Sequence, residues 1–339
     1  MCAIVGAFNI PDIYGNIFKM MRGLSHRGEN GAGAVFDMGG DTTVWERTEF
    51  TIPELARKIA GPDFSKSTMA VGHVRYGTAG ERRSLNEAQP LMARMRNERL
   101  VYLAHNGDSP YMEEDRQELV NRGSVFSTNS DSEIMLHRIA LSASDDPITA
   151  IKEGLREYRG TYSLLMLVKD GDGVKLVAAR DKSGNRPLAL GRLGDGYVVA
   201  SEDVAFEKIG ASYVRDIMPG EVLVISKNGL RQDFIYDKPQ PGPLFQCNYE
   251  LDYLSFPSSK IFDIPVSEYR KVLGRIVAKR YGHLVKPRDI ITFVPESGKF
   301  YVLGFCEAIH RQHEELILRS HSDRSFMQES TRVVEDTIR

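Results

Sequence analysis

Cys2 follows the initiator Met1 directly and heads an apolar run, Cys-Ala-Ile-Val-Gly-Ala-Phe. Removal of Met1, which a small second residue permits, gives this thiol a free α-amino group on its own residue. A thiolate is a strong nucleophile that needs a nearby base. An N-terminal amine, with an ordinary pKa near ~8, supplies one. Alone, Cys2 reads better as a small buried residue at the start of an edge strand, since free cysteine is often buried. Five polar segments weigh against that plain reading: 26–29 (His-Arg-Gly-Glu), 72–80 (Gly-His-Val-Arg-Tyr-Gly-Thr-Ala-Gly), 86–90 (Asn-Glu-Ala-Gln-Pro), 105–108 (His-Asn-Gly-Asp) and 130–133 (Ser-Asp-Ser-Glu).

Together these segments supply what hydrolysis of a carboxamide by a thiol requires: a nucleophile, a base, and donors for the tetrahedral oxyanion. The Asn106 side chain with the backbone N–H of Gly107 can form the oxyanion site, since glycine admits close backbone approach. A free amino acid as substrate adds two demands. Its α-carboxylate suits an arginine fork and its α-ammonium suits a carboxylate. Arg75 and Asp131 carry those charges. Singly, each segment has a plainer explanation: Arg27 as a surface ion pair, Arg75 as a charged strand end, Asn106-Gly107 as a hairpin turn, 130–133 as a helix capping box.

The elements that must position these residues follow from periodicity. Strands are expected at 2–9, 31–37, 42–47, 69–76 and 100–104, the last leading into an Asn106-Gly107 turn. Helices are expected at 12–25, from 130 onward, and at 147–158. From Thr161 the texture becomes β, with strands at 161–168, 174–180, 187–192, 196–201 and 221–226 separated by Gly-, Asp- and Asn-bearing turns. The Pro-rich stretch 237–243 is the best boundary, which divides the chain into domains 2–240 and 241–339. Beyond it, 267–281 reads as a helix, 290–294 as a buried strand and 300–311 as a helix, an α/β rhythm.

The 339 residues carry a formal net charge of −2, with 44 Lys and Arg against 46 Asp and Glu. That balance offers no signature for nucleic acid. No apolar run reaches the ~18 residues of a membrane span, and no basic region precedes the first apolar stretch as a signal peptide would require. The three cysteines, Cys2, Cys247 and Cys306, form no CxxC pair. Neither a disulfide framework nor a self-contained zinc site is suggested, and a reducing cytoplasm is the expected location. His310 and His313 lack a third ligand and read as solvent-facing, so no metal site is expected.

In order and separation, these segments resemble the class II, N-terminal-nucleophile glutamine amidotransferases. Within that group GHVRYGTAG, NEAQP and the segment 180–188 (Arg-Asp-Lys-Ser-Gly-Asn-Arg-Pro-Leu) most resemble the glutamine phosphoribosylpyrophosphate amidotransferase family. Segments 200–202, 215–221 and 247–250 extend the resemblance, which covers about 2–300. It implies an α+β fold, a four-layer αββα sandwich followed by a partial α/β phosphoribosyltransferase-like domain. It implies that Cys2 is the nucleophile with its own amine as base, and that Asn106 and Gly107 build the oxyanion hole. Arg75, with Thr78 nearby, would bind the glutamine carboxylate and Asp131 the ammonium. Arg27 joins the substrate-binding group by holding the N-terminal region. Ala3 for the usual Gly, Asp108-Ser-Pro110 after Gly107, and Glu29-Asn30 for Gln-Asp are departures that remove no catalytic atom. Some family members carry an iron–sulfur cluster with a ligand near Cys247, but a cubane cluster needs four thiolates, so Cys247 reads as structural.

The second domain departs further. The segment 293–298 resembles a pyrophosphate-loop region and 324–327 a later segment, but no apolar strand ending in paired aspartates appears before Arg339. No cofactor is evident in this chain, and Mg2+ is expected only with a complete phosphoribosyl site. The expected activity is glutamine hydrolysis to glutamate and ammonia through a thioester, with formation of 5-phosphoribosylamine as the family's full reaction. L-glutamine is the expected ligand, phosphoribosyl pyrophosphate or an ammonia-accepting protein a further partner, and a homo-oligomer the expected state. Two alternatives stay open: a non-catalytic glutamine-sensing or regulatory subunit, and a glutaminase feeding a separate acceptor enzyme.

Overall fold

The computed structural model describes residues 2–77, 84–237 and 244–318. Two compact units emerge, one formed by 2–250 with 254–263, the other by 251–253 with the residues from 264 onward.

The first unit is built on two antiparallel sheets. One sheet runs, edge to edge, through β11 (Ser212–Asp216), β9 (Ala189–Leu193), β10 (Gly196–Ala200), β1 (Ala3–Phe8), β4 (Met69–Val74), β2 (Ala32–Asp37) and β3 (Thr43–Thr48). The other runs through β13 (Gly229–Phe234), β12 (Glu221–Ser226), β8 (Gly173–Arg180), β7 (Thr161–Asp170), β6 (Leu100–Asp108) and β5 (Leu91–Arg94). Strand alternation sends successive side chains to opposite faces, and both faces of each sheet are apolar. Ile4, Val35, Val71 and Val199 of the first sheet meet Tyr102, Ala104, Leu165 and Leu176 of the second in a core between the sheets.

Helices cover the outer faces. Ile17, Met20 and Met21 of α1 (Ile13–Gly23), Leu55 of α2 (Ile52–Ile59) and Phe206 of α6 (Val204–Glu207) pack against Val5, Ala7 and Phe36. On the second sheet, Leu119 of α3 (Met112–Asn121), Ile134, Met135 and Ile139 of α4 (Asp131–Ala140) and Ile151 and Leu155 of α5 (Pro147–Glu157) pack against Val101, Leu103, Leu164 and Met166. The amphipathic spacing of these helices gives each one buried stripe.

Three local expectations are corrected. Asn106-Gly107 is not a turn: both residues lie inside β6, paired with Ser163 and Tyr162 of β7. A ladder running from Leu100 to Asp108 outweighs the local turn preference of the dipeptide. Ser130 does cap α4 through the Ser132 N–H at 3.2 Å, but Glu133 does not close a capping box. It reaches back to accept from the N–H and hydroxyl groups of Ser127 and Thr128. Finally, 290–294 forms no strand; Ile290 and Val294 are exposed while Phe293 is buried. A strand needs a ladder of backbone bonds, and this segment makes only one to a neighbouring segment among the described residues, from the Glu314 N–H to the Ile291 carbonyl at 2.8 Å.

In the second unit α7 (Val266–Tyr281) packs on α8 (Lys299–Ile309). The two cross at Gly274 and Gly304. A Cβ on Gly304 would lie 2.0 Å from the Lys271 carbonyl oxygen, and one on Gly274 2.0 Å from that of Tyr301. Backbone cannot yield as a flexible side chain can, so Gly304→Ala must push the helices apart. The expected cost is about 1–3 kcal/mol, read as faster proteolytic cleavage within 266–309 while the first unit remains resistant. Equal resistance of both units in the variant would refute this account of the crossing.

Candidate active site

Cys2 is held at the head of β1 by its own backbone. Ile4 N–H donates to Ser201 Oγ and Ser201 N–H to the Ile4 carbonyl, both at 3.0 Å. The Cys2 carbonyl accepts from Arg27 Nε at 3.1 Å. Its half-buried sulfur lies beside the backbone of Tyr76, whose N–H points to Sγ at 3.5 Å and whose carbonyl oxygen is 3.9 Å away.

Arg27 is not a surface ion pair. It is fully buried, with Nη1 on Glu202 Oε1 at 2.5 Å and Nη2 on Glu250 Oε1 at 2.8 Å. Glu202, also fully buried, takes His26 Nε2 at 2.8 Å on the same oxygen. Its other oxygen accepts from Phe256 N–H at 2.8 Å and Ser259 Oγ at 2.7 Å. Burial alone would raise the Glu202 pKa, but His26 and Arg27 outweigh it and hold the carboxyl well below the usual range. For Arg27, burial disfavours the cation, and Glu250 and Glu202 more than restore it. Glu202 and Glu250 fall within segments that the sequence singled out only for their resemblance; only the folded chain reveals what they hold.

Pleat parity defines which side chains face the space between the sheets. Ile4 lies opposite His73 on β4 and shares the inter-sheet core, so Cys2 and Arg75, one pair further on, continue that face. Tyr102 and Ala104 of β6 point into the same core, and Asn106 is next in their series. β1 packs against β6 across this space. The Asn106 amide is fully buried, and neither its oxygen nor its nitrogen has a hydrogen-bond partner among the described residues. An amide unsatisfied in this way is costly and is the state expected of a donor reserved for a ligand. The ring nitrogens of His73 are likewise buried and unpaired. Burial, and then the neighbouring Arg75, push its pKa down to about 3, so His73 is neutral.

Arg75 is buried, with Nη1 3.4 Å from the Asn30 carbonyl. Asn30 Oδ1 accepts from Gly77 N–H at 3.1 Å, tying down the start of the segment that follows. Thr78 lies outside the described residues. Asp131 opens α4, and its Oδ2 accepts from Tyr158 OH at 3.1 Å. Gly107 is required by its surroundings: a Cβ there would lie 2.0 Å from the Thr161 carbonyl oxygen and 2.2 Å from His105 Nε2. The segments 180–188 and 215–221 serve structure. Arg180 donates to the carbonyls of Gly184, Arg186 and Ile217, each at 2.7 Å, and Arg215 pairs with buried Glu221. Among the described residues no group of three or more His, Cys, Asp or Glu could hold a metal ion, and no helix is long and apolar enough to cross a membrane.

A family described as the glutamine amidotransferase domain matches residues 79–208. Amidophosphoribosyltransferase of Bacillus subtilis (strain 168) is 33% identical over 344 residues, covering 100% of this chain and 68% of the relative. The chloroplastic amidophosphoribosyltransferase 2 of Arabidopsis thaliana is 34% identical, covering 98% of this chain and 57% of its own length. The solved B. subtilis glutamine phosphoribosylpyrophosphate amidotransferase, complexed with ADP and GMP, superposes with a TM-score of 0.85 at 31% identity. That match covers 100% of this chain and 71% of the other. Fold and matched domain together define a class II glutamine amidotransferase. Within that class, the chain belongs to the amidophosphoribosyltransferase family, and it spans between 57% and 71% of the length of these relatives.

The Glu202 hub has a testable pH signature. A carboxyl whose pKa is depressed on folding contributes stability above its unfolded value, near ~4.3, and loses it as pH falls through the folded value. Glu202→Gln breaks one partner of a buried pair, at an expected cost of about 3–5 kcal/mol near neutrality. In urea melts the gap from wild type should narrow below about pH 4. A gap of equal size at acid and neutral pH would contradict this.

Proposed function

We propose that the chain, once Met1 is removed, hydrolyses L-glutamine to glutamate and ammonia through a γ-glutamyl thioester on Cys2. The observation that carries the reading is the buried Asn106 amide, without a partner among the described residues, on the inter-sheet face toward which Cys2 is also directed.

In this reading the α-amine of Cys2 takes the thiol proton as Sγ attacks the amide carbon of glutamine. The carbonyl oxygen becomes an oxyanion and accepts from Asn106 Nδ2 and the Gly107 N–H. Collapse breaks the C–N bond, and the proton held by the amine passes to the departing nitrogen, which leaves as ammonia. Water then attacks the thioester with the same amine as base, releasing glutamate and restoring the thiol. Arg75 pairs with the substrate α-carboxylate and Asp131 with its α-ammonium. Arg27 acts through the main chain: its bond to the Cys2 carbonyl fixes the residue that carries both thiol and amine.

The acceptor proposed for the ammonia is activated ribose, as the names of the relatives suggest, with 5-phosphoribosylamine as product. The four-layer order of helix, sheet, sheet and helix belongs with this reading, as does a phosphoribosyltransferase-like identity for the second unit. A cytoplasmic or organellar stroma-like reducing setting suits a catalytic thiol.

Ammonia release from glutamine by the Met1-free protein tests the reading. Wild type should release ammonia and glutamate in equal amounts, and Cys2→Ala none. Asn106→Ala should lower kcat about 10²–10³-fold with little change in thermal stability, because the amide it removes makes no internal hydrogen bond. Full turnover by either variant would overturn it.

A further inference from the structure

Behind Asn106, on the helix-covered face of the second sheet, lies a polar network of which the reaction above uses only Asp131. His105 follows Val101 and Leu103 in the alternation of β6 and so faces α4 and α5, not the inter-sheet space of Cys2 and Asn106. It is almost fully buried. Its N–H donates to Gln89 Oε1 at 2.7 Å, and Gln89 Nε2 donates to Ser132 Oγ at 2.9 Å. Ser132 Oγ is 3.0 Å from His105 Nδ1, and Asp131 Oδ1 is 3.5 Å from both. Nε2 faces the Thr161 carbonyl oxygen at 3.4 Å. With the Tyr158 hydroxyl on Oδ2, both oxygens of Asp131 are oriented from inside the protein.

We propose that His105 is a positioning residue that fixes the Asp131 carboxylate for the α-ammonium of glutamine, in register with the oxyanion site one residue along β6. This rests on the glutamine-binding reading of Asp131. The ring touches both halves of the pocket: Nδ1 meets the ammonium side, and Nε2 fills the space that a Cβ on Gly107 would invade at 2.2 Å. A carboxylate opening a helix can otherwise turn about its side-chain torsions, and each torsion frozen in advance lowers the cost of binding. Burial opposes the imidazolium, but Asp131 outweighs it and raises the His105 pKa, with the thiol of Cys2 on β1 a lesser influence. Neutral His73 on β4 adds no opposing charge.

Binding in a Cys2→Ala background separates this role from catalysis. Two ligands are compared by calorimetry: glutamine, and glutaramate, which is glutamine without its α-amino group. Adding His105→Ala should raise the Kd of glutamine about tenfold, the loss expected for one hydrogen bond to a charged group. The Kd of glutaramate should move less than twofold, since it presents no ammonium. His105→Asn, whose amide nitrogen comes near the position of Nδ1, should restore most of the glutamine affinity. If His105→Ala does not fold, Ser132→Ala replaces it with the same expectation. Equal weakening of both ligands, or of neither, overturns the positioning role. Glutamine bound by the Cys2→Ala protein but not turned over by wild type would sink the hydrolysis reading alone. No glutamine binding at all would sink both.

Discussion

The site depends on one buried cation. Arg27 cannot be fully desolvated without compensation, and its two partners lie 175 and 223 residues away in sequence. Glu202 and Glu250 take its two terminal nitrogens, which leaves Nε for the Cys2 carbonyl. Cys2 is thus fixed by contacts that close only when β10 has joined β1 and when the segment past 250 has settled. His26, Ser259 and the N–H of Phe256 fill the remaining acceptor positions of Glu202. A chain terminus is normally among the least ordered parts of a domain; here it is anchored through its backbone, which leaves the thiol unencumbered.

The two sheets divide the labour of the pocket. The first supplies Cys2 and Arg75, which lie just beyond the ends of β1 and β4, past the Ala3–Val74 pair of their register. The second supplies Asn106 toward the inter-sheet space and His105 toward the helices, so consecutive residues of one strand serve opposite faces. The α4 terminus then brings Asp131 to the edge of that second layer. Apolar packing between the sheets sets the spacing, and the polar groups within it go unpaired or neutral where a ligand's atoms would pair them, as with the Asn106 amide.

Much of this was legible because alternation and helical periodicity are local. The strands around Ile4, Val71 and Val199 and the helix carrying Ile17, Met20 and Met21 are written in their apolar spacing. Asn106-Gly107 misled for the opposite reason: its turn signal is local, whereas its strand state comes from pairing with Ser163 and Tyr162 far along the chain. The run at 290–294 has strand composition, but a single backbone bond from Glu314 to Ile291 is all the pairing it finds among the described residues, too little for a ladder. α2 was not among the expected helices, although the capping box of Thr51 and Glu54 at its start is a local signal. β13, Gly-Leu-Arg-Gln-Asp-Phe, is largely exposed and lacks clear alternation, so nothing local marks it. The roles of Glu202 and Glu250 could not be read at all, since a carboxylate's partner at such separation is a property of the fold.

The central claim is that Cys2, with a free amine, is the glutamine nucleophile. Intact mass and peptide mapping after treatment with 6-diazo-5-oxonorleucine test it most directly. The account predicts a protein lacking Met1 that gains one adduct, on Cys2, and that glutamine protects from labelling. A Met1-free protein that gains no adduct, or gains one at Cys247 or Cys306 instead, would contradict it.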